Sequence, residues 1–201
     1  MCSSDLKPRW KFKVPGGPVL GSPAVVANRT FAAGCDSTLH VLDVETGREI
    51  GSVDLGGQVG ASAAVVGDQL YLGTMTNQFL AIDWQKPAVV WTWEADNRPS
   101  PFYSSATVTE ALVVVGSRDK NVHALDRKTG RMVWSFPTRD KVDGSPVIVG
   151  SRVYVGSTDG NLYVLDLARG SQIQKLELGG GILASPAVSG DCLVIGTKKG
   201  I

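Results

Sequence analysis

Cysteine is scarce: Cys2, Cys35 and Cys192 are the only three in 201 residues. They are too few and too scattered to form a disulfide framework or a zinc site. No apolar run approaches the roughly 18 residues that a membrane-spanning helix needs. An excess of either charge is missing too, since 20 Lys and Arg face 19 Asp and Glu for a net charge of +1. That balance excludes a binder of nucleic acid or anionic membrane driven by bulk electrostatics. Gly-x-Ser-x-Gly, Walker-type and His-Glu-x-x-His motifs are absent. No segment carries a convincing 3.6-residue apolar period. What the chain does have is 43% apolar residues, 24 glycines and 10 prolines, enough for a core joined by many tight turns. These features point to an all-β protein.

The decisive signal is internal repetition. A Ser-Pro-Ala-Val-like phrase recurs at Ser22-Pro23-Ala24-Val25, Ser62-Ala63-Ala64-Val65, Ser105-Ala106-Thr107-Val108, Ser145-Pro146-Val147-Ile148 and Ser185-Pro186-Ala187-Val188. The spacings are 40, 43, 40 and 40 residues. A glycine closes an apolar run at Gly34, Gly73, Gly116, Gly156 and Gly196, and an aspartate ends the next run at Asp43, Asp83, Asp126 and Asp166. Each unit reads as four short strands, in the fourth unit Ser145–Val149, Arg152–Gly156, Asn161–Asp166 and Ile173–Leu178. The intervening segments are rich in residues that tolerate positive φ or a tight reversal. Four antiparallel strands per roughly 40 residues is the arithmetic of a propeller blade.

The repeated polar residues read as structure. In Asp126-Arg127-Lys128-Thr129-Gly130 the carboxylate accepts from turn amides, and the glycine supplies the left-handed conformation that closes the hairpin. The same reading covers Asp43 with Gly47, Asp83, and Asp166 with Gly170. A catalytic acid is needed once, whereas a turn is needed in every blade. Trp10, Trp91 and Trp134 each open an outermost strand, with Phe12, Trp93 and Phe136 two residues on and so on the same face. They are assigned to docking between neighbouring blades, and stacking on a carbohydrate or quinone is the alternative. His40 and His123 share a repeat column with Leu80 and Tyr163, which marks a packing position and not a metal site. Cys35 and Cys192 read as small hydrophobes. No catalytic, cofactor-binding or metal-ligating residue is assigned.

One loop breaks the repeat. Asp96-Asn97-Arg98-Pro99-Ser100-Pro101-Phe102-Tyr103 carries the insertion of the 43-residue unit, on the face where the loops approach the central channel. Arginine beside rigid aromatics is hot-spot chemistry for a protein partner, so Asn97, Arg98, Phe102 and Tyr103 form the candidate partner-binding loop. The competing reading is that Phe102 and Tyr103 simply pack beneath the loop.

The segments Val153-Tyr154-Val155-Gly156-Ser157-Thr158-Asp159-Gly160-Asn161-Leu162-Tyr163-Val164-Leu165-Asp166 and Ala124-Leu125-Asp126-Arg127-Lys128-Thr129-Gly130-Arg131-Met132-Val133-Trp134 resemble the PQQ-like β-propeller repeats, including their tryptophan-docking motif. The second unit keeps Ala81, Asp83 and Trp91 but loses Thr-Gly, and the first and fourth lack the tryptophan. The resemblance covers residues 7–201 and implies a partial propeller: an outer strand Trp10–Val14, four complete blades, and the first half of another. Because family members close rings of seven or eight blades, the chain is read as a fragment of one propeller domain. Met1–Leu6 fits no part of the repeat and is read as an adapter-derived, non-native segment. A lipid-bearing Cys2 is the other reading.

Functionally, the resemblance implies a non-catalytic scaffold, similar to the BamB-like lipoproteins of outer-membrane assembly, placed in the periplasm or otherwise outside the bacterial cytoplasm. Its partner is expected to be another protein at the loop face. A fragment of a quinoprotein dehydrogenase is the alternative, and only that reading calls for pyrroloquinoline quinone and Ca²⁺. The chain shows no Cys-Cys pair, no long insertion and no acidic cluster suited to calcium. A sensor propeller of a larger protein, such as a Ser/Thr kinase, is a third reading.

Overall fold

The structure, a computed structural model, describes residues 7–95 and 100–200. It contains 18 strands among these residues, all of them in antiparallel pairs. The first blade consists of Ala24–Val26 (β1), Arg29–Ala33 (β2), Thr38–Asp43 (β3) and Glu49–Asp54 (β4). The second consists of Ala64–Val66 (β5), Gln69–Gly73 (β6), Gln78–Asp83 (β7) and Ala88–Glu94 (β8). Thr107–Val108 (β9), Leu112–Gly116 (β10), Asn121–Asp126 (β11) and Met132–Pro137 (β12) make the third. Val147–Val149 (β13), Arg152–Gly156 (β14), Asn161–Asp166 (β15) and Gln172–Glu177 (β16) make the fourth, and Ala187–Ser189 (β17) pairs Cys192–Val194 (β18) in a two-stranded sheet. The architecture is a partial β-propeller, with strands paired in sequence order within every blade.

The second and third strands carry most of the buried side chains, which pack in clusters shared between adjacent blades. Leu70, Tyr71 and Leu72 of β6, Phe79 and Ile82 of β7, and Val113 to Val115 of β10 lie in this core. Burying each such side chain contributes about 1.5–3 kcal/mol. The fourth strands face outward and leave Ile50, Val90, Val133 and Ile173 exposed. In all four blades the register shifts between the third and fourth strands, at Val41/Leu42, Ala81/Ile82, Ala124/Leu125 and Val164/Leu165. Such a bulge sharpens the local twist, and it lies just ahead of the aspartate turn.

At that turn Asp43 Oδ1 accepts from the amides of Glu45 and Thr46, at 3.0 and 2.9 Å, and from the Thr46 hydroxyl. Asp126 does the same with Lys128 and Thr129. Asp83 binds the amides of Gln85 and Lys86, and Asp166 those of Ala168 and Arg169. Gly47, Gly130 and Gly170 close their turns at φ of +69°, +71° and +69°, where a side chain is strained.

Each of these glycines also receives a tryptophan from the preceding outer strand or segment. Trp10 lies on Gly47, Trp91 on Gly130 and Trp134 on Gly170. Their indole N–H groups donate to the carbonyls of Val44, Arg127 and Leu167, at 2.7, 3.0 and 2.9 Å. The junction between the first two blades inverts the pair. There Gly51 occupies the tryptophan position and Pro87 the glycine position, and an added Gly51 Cβ would lie 2.7 Å from Pro87 Cγ. Trp84 donates its own N–H to Gly67 O at 2.9 Å and packs edge-on against Phe31.

Around the inner strands the recurring serine forms a belt. The amides of Ser22, Ser62, Ser105 and Ser145 donate to the hydroxyls of Ser62, Ser105, Ser145 and Ser185, at 2.8, 3.0, 3.0 and 2.9 Å. Each bond joins one blade to the next.

Three expectations need correction. Trp10–Val14 is not a strand: Trp10 docks through its indole, and no strand among the described residues pairs alongside it. Gly34 is not the counterpart of Gly73, Gly116 and Gly156. The carbonyls of Gly34, Thr74, Ser117 and Ser157 accept equivalent bonds from Val59, Phe102, Val142 and Ile182, which puts Ala33 in the glycine column. In the fourth blade Ser145 and Pro146 precede the inner strand, because Ser145 spends its amide on the belt.

Candidate functional site at the loop face

The loops that enter each inner strand gather on one face. Of the expected partner-binding loop, Asn97 and Arg98 lie outside the described residues, and the other two members have different fates. Phe102 is 0% exposed. It lies where Val59, Val142 and Ile182 lie in neighbouring units, each a buried plug bonded through its amide to the preceding blade. Its ring sits against Gly73 and packs on Phe79 and Trp93. The expectation that Phe102 contacts a partner is therefore corrected: its ring is core, placed by the same plug position in every unit.

Tyr103 is half-buried and borders solvent. The Arg118 guanidinium lies over its ring, 3.9 Å from the centroid. Asp143 holds that guanidinium in a two-pronged grip, Nε to Oδ1 at 2.8 Å and Nη2 to Oδ2 at 2.9 Å. These hydrogen bonds raise the Arg118 pKa further above its ordinary value, against the opposing effect of burial. Gly60 also lies against Tyr103: an added Cβ there would meet the Met75 methyl at 2.7 Å and the tyrosine ring at 3.2 Å. A fixed aromatic–arginine surface thus spans three successive blades. Bidentate geometry and cation–π contact both restrict the guanidinium.

Sequence reasoning missed Arg118 and Asp143. Both sit at positions where the repeat is not kept: Arg118 aligns with Met75 and Thr158, and Asp143 with Gly60, Tyr103 and Leu183. That loss of periodicity on one face was the available signal.

The histidine column holds a second arrangement. His40 Nε2 bonds Asp36 at 2.7 Å and its Nδ1 bonds Glu49 at 2.8 Å. His123 Nε2 bonds Asp119 at 2.8 Å, and the Tyr163 hydroxyl donates to Asp159 at 2.7 Å. Burial and the Asp159 bond push the Tyr163 pKa up to about 12. Phe12, Trp93 and Phe136 cover these three rings, at centroid distances of 5.1, 4.8 and 5.3 Å. The packing is thus also a set of hydrogen bonds, built on an aspartate four residues earlier.

Among the described residues no group of three or more His, Cys, Asp or Glu is placed to hold a metal ion. Asp143, on the loop face, is already committed to Arg118. Calcium takes six to eight oxygen ligands, several of them carboxylates, and no such carboxylate group is assembled among the described residues. No helix among them is long and apolar enough to cross a membrane.

A family model described as outer membrane protein assembly factor BamB matches residues 35–201. The chain belongs to the BamB family. Among curated relatives, the outer membrane protein assembly factor BamB of Marinobacter adhaerens is 29% identical over 57% of this chain and 28% of its own length. That of Nitrosomonas eutropha is 27% identical over 66% of this chain and 32% of its own. The matches thus span about a third of those BamB sequences. The crystal structure of BamB from Moraxella catarrhalis aligns with a TM-score of 0.79 at 21% identity, covering 90% of this chain and 59% of that one. A quinohemoprotein alcohol dehydrogenase from Pseudomonas putida aligns at 0.71 and 18% identity, covering 84% and 35%. At such identities the two structures establish the shared propeller fold.

Proposed function

We propose that this BamB-family chain is a non-catalytic binding scaffold that works outside the bacterial cytoplasm and engages a protein of outer-membrane assembly through its loop face. The observation that carries this reading is the Tyr103–Arg118–Asp143 constellation. An aromatic ring and a locked guanidinium offer contact area and directed donors at little conformational cost on binding. The name shared by the family's members supports the process, and the fixed geometry of the constellation supports the loop face.

Site-specific photocrosslinking in a bacterial envelope tests it. A crosslinker at Tyr103 or Met75 is expected to capture components of the outer-membrane assembly machinery, while one at Lys128 on the turn edge captures none. R118A should abolish the Tyr103 adducts without altering the fold. Equal labelling from both positions, or adducts untouched by R118A, would overturn the assignment.

A further inference from the structure

Among the described residues a single buried side-chain nitrogen or oxygen has no hydrogen-bond partner, and it is His123 Nδ1. Its cause lies in the repeat. In the first blade Glu49 occupies the start of the outer strand and caps the Nδ1 of His40. The aligned residue in the third blade is Met132, paired with Leu125 as Glu49 is with Leu42. An acceptor was thereby exchanged for a thioether, and the nitrogen was left open.

His123 is 4% exposed, and its ring lines a cleft of about 130 Å³ shared with Trp93, Asp119, Asn121, Met132 and Ser135. Its Nε2 lies 2.8 Å from Asp119 Oδ2, and in a neutral imidazole a proton on that nitrogen leaves a lone pair on Nδ1. A carboxylate behind an imidazole is the arrangement that orients metal-ligating histidines and raises their basicity. Met132 carries its sulfur where glutamate carries its carboxyl carbon, one bond back from the atom that touches His40. Met132 and the open nitrogen of His123 line the same cleft. The Trp93 ring, 4.8 Å from His123 by centroid, adds an aromatic wall, and Asp119 adds negative charge.

We propose that His123 Nδ1 and Met132 Sδ form a binding site for a soft monovalent metal ion of the copper(I) class. Imidazole and thioether together select such an ion over calcium, magnesium or manganese, which require oxygen ligands. The aromatic wall and the buried carboxylate both favour a cation in the cleft.

Silver(I) is the probe, used on the full chain with Cys2, Cys35 and Cys192 changed to serine so that thiols do not compete. One equivalent should shift the ¹⁵N resonance of His123 Nδ1 and the methyl resonance of Met132, leaving His40 unmoved. M132L, which keeps the apolar bulk, should weaken binding roughly tenfold or more. M132E, which rebuilds the first blade's cap, should abolish it while its amide spectrum stays folded. No shift at His123 with one equivalent of silver, or equal affinity in M132L, would overturn the proposal.

Discussion

Replacing Gly170 with alanine tests whether the tryptophan-on-glycine contact holds adjacent blades together. An added Cβ would lie 2.5, 2.6 and 2.8 Å from Cδ2, Cε3 and Cγ of Trp134. The indole has little room to retreat, because its N–H is bonded to Leu167 O at 2.9 Å and it is 8% exposed. Two costs add: about 1–2 kcal/mol for a side chain in the left-handed region, and about 1–3 kcal/mol for overpacking. G170A should therefore lose about 2–5 kcal/mol. W134A should lose about 3–5 kcal/mol through its cavity. In the double variant no indole remains to clash with, so only the backbone strain is added to the cavity. The double loss should then fall short of the summed single losses by about 1–3 kcal/mol. Urea unfolding followed by far-ultraviolet circular dichroism measures all three, and amide exchange in β15 and β16 localises the effect. Additivity within about 0.5 kcal/mol would refute the docking argument.

Two further outcomes follow from the junctions. G51W alone should destabilise by about 1–3 kcal/mol through collision with Pro87, and G51W/P87G should recover most of that loss in the same urea assay. His40 should make stability depend on pH: burial pulls its pKa down, but the bonds and charges of Asp36 and Glu49 outweigh this, and the net shift is upward from 6.5. Its contribution is then complete below pH 6.5 and is lost as pH rises through the folded-state value. Thermal melts of H40Q should lack that fall; an identical pH profile in both proteins would remove His40 as its source.

Much of the fold was legible because its determinants repeat. Ser145, Asp126, Gly130 and Trp134 recur at blade spacing, so one physical explanation accounts for all copies. Phe102 was misassigned because its neighbours Arg98 and Tyr103 drew it into a surface motif. Its alignment with Val59, Val142 and Ile182, three residues before each serine, was present in the same spacing. Arg118, Asp143 and Met132 were not legible for the opposite reason. Each departs from its column, and a single departure has no partner in the sequence to explain it.

The sequence by itself determined the blade: strand lengths, turn chemistry and the period all follow from local residue preferences and alternation. Tertiary structure alone decided which departures meet. Tyr103 and Asp143 precede the inner strands of two successive blades, and Arg118 lies between β10 and β11, yet the three converge because loops from successive blades share one face. Trp93 of one blade covers His123 of the next, and the exchange at Met132 matters only because that ring is buried there. Local preferences act within a unit, whereas the candidate sites form between units, where only packing sets the distances.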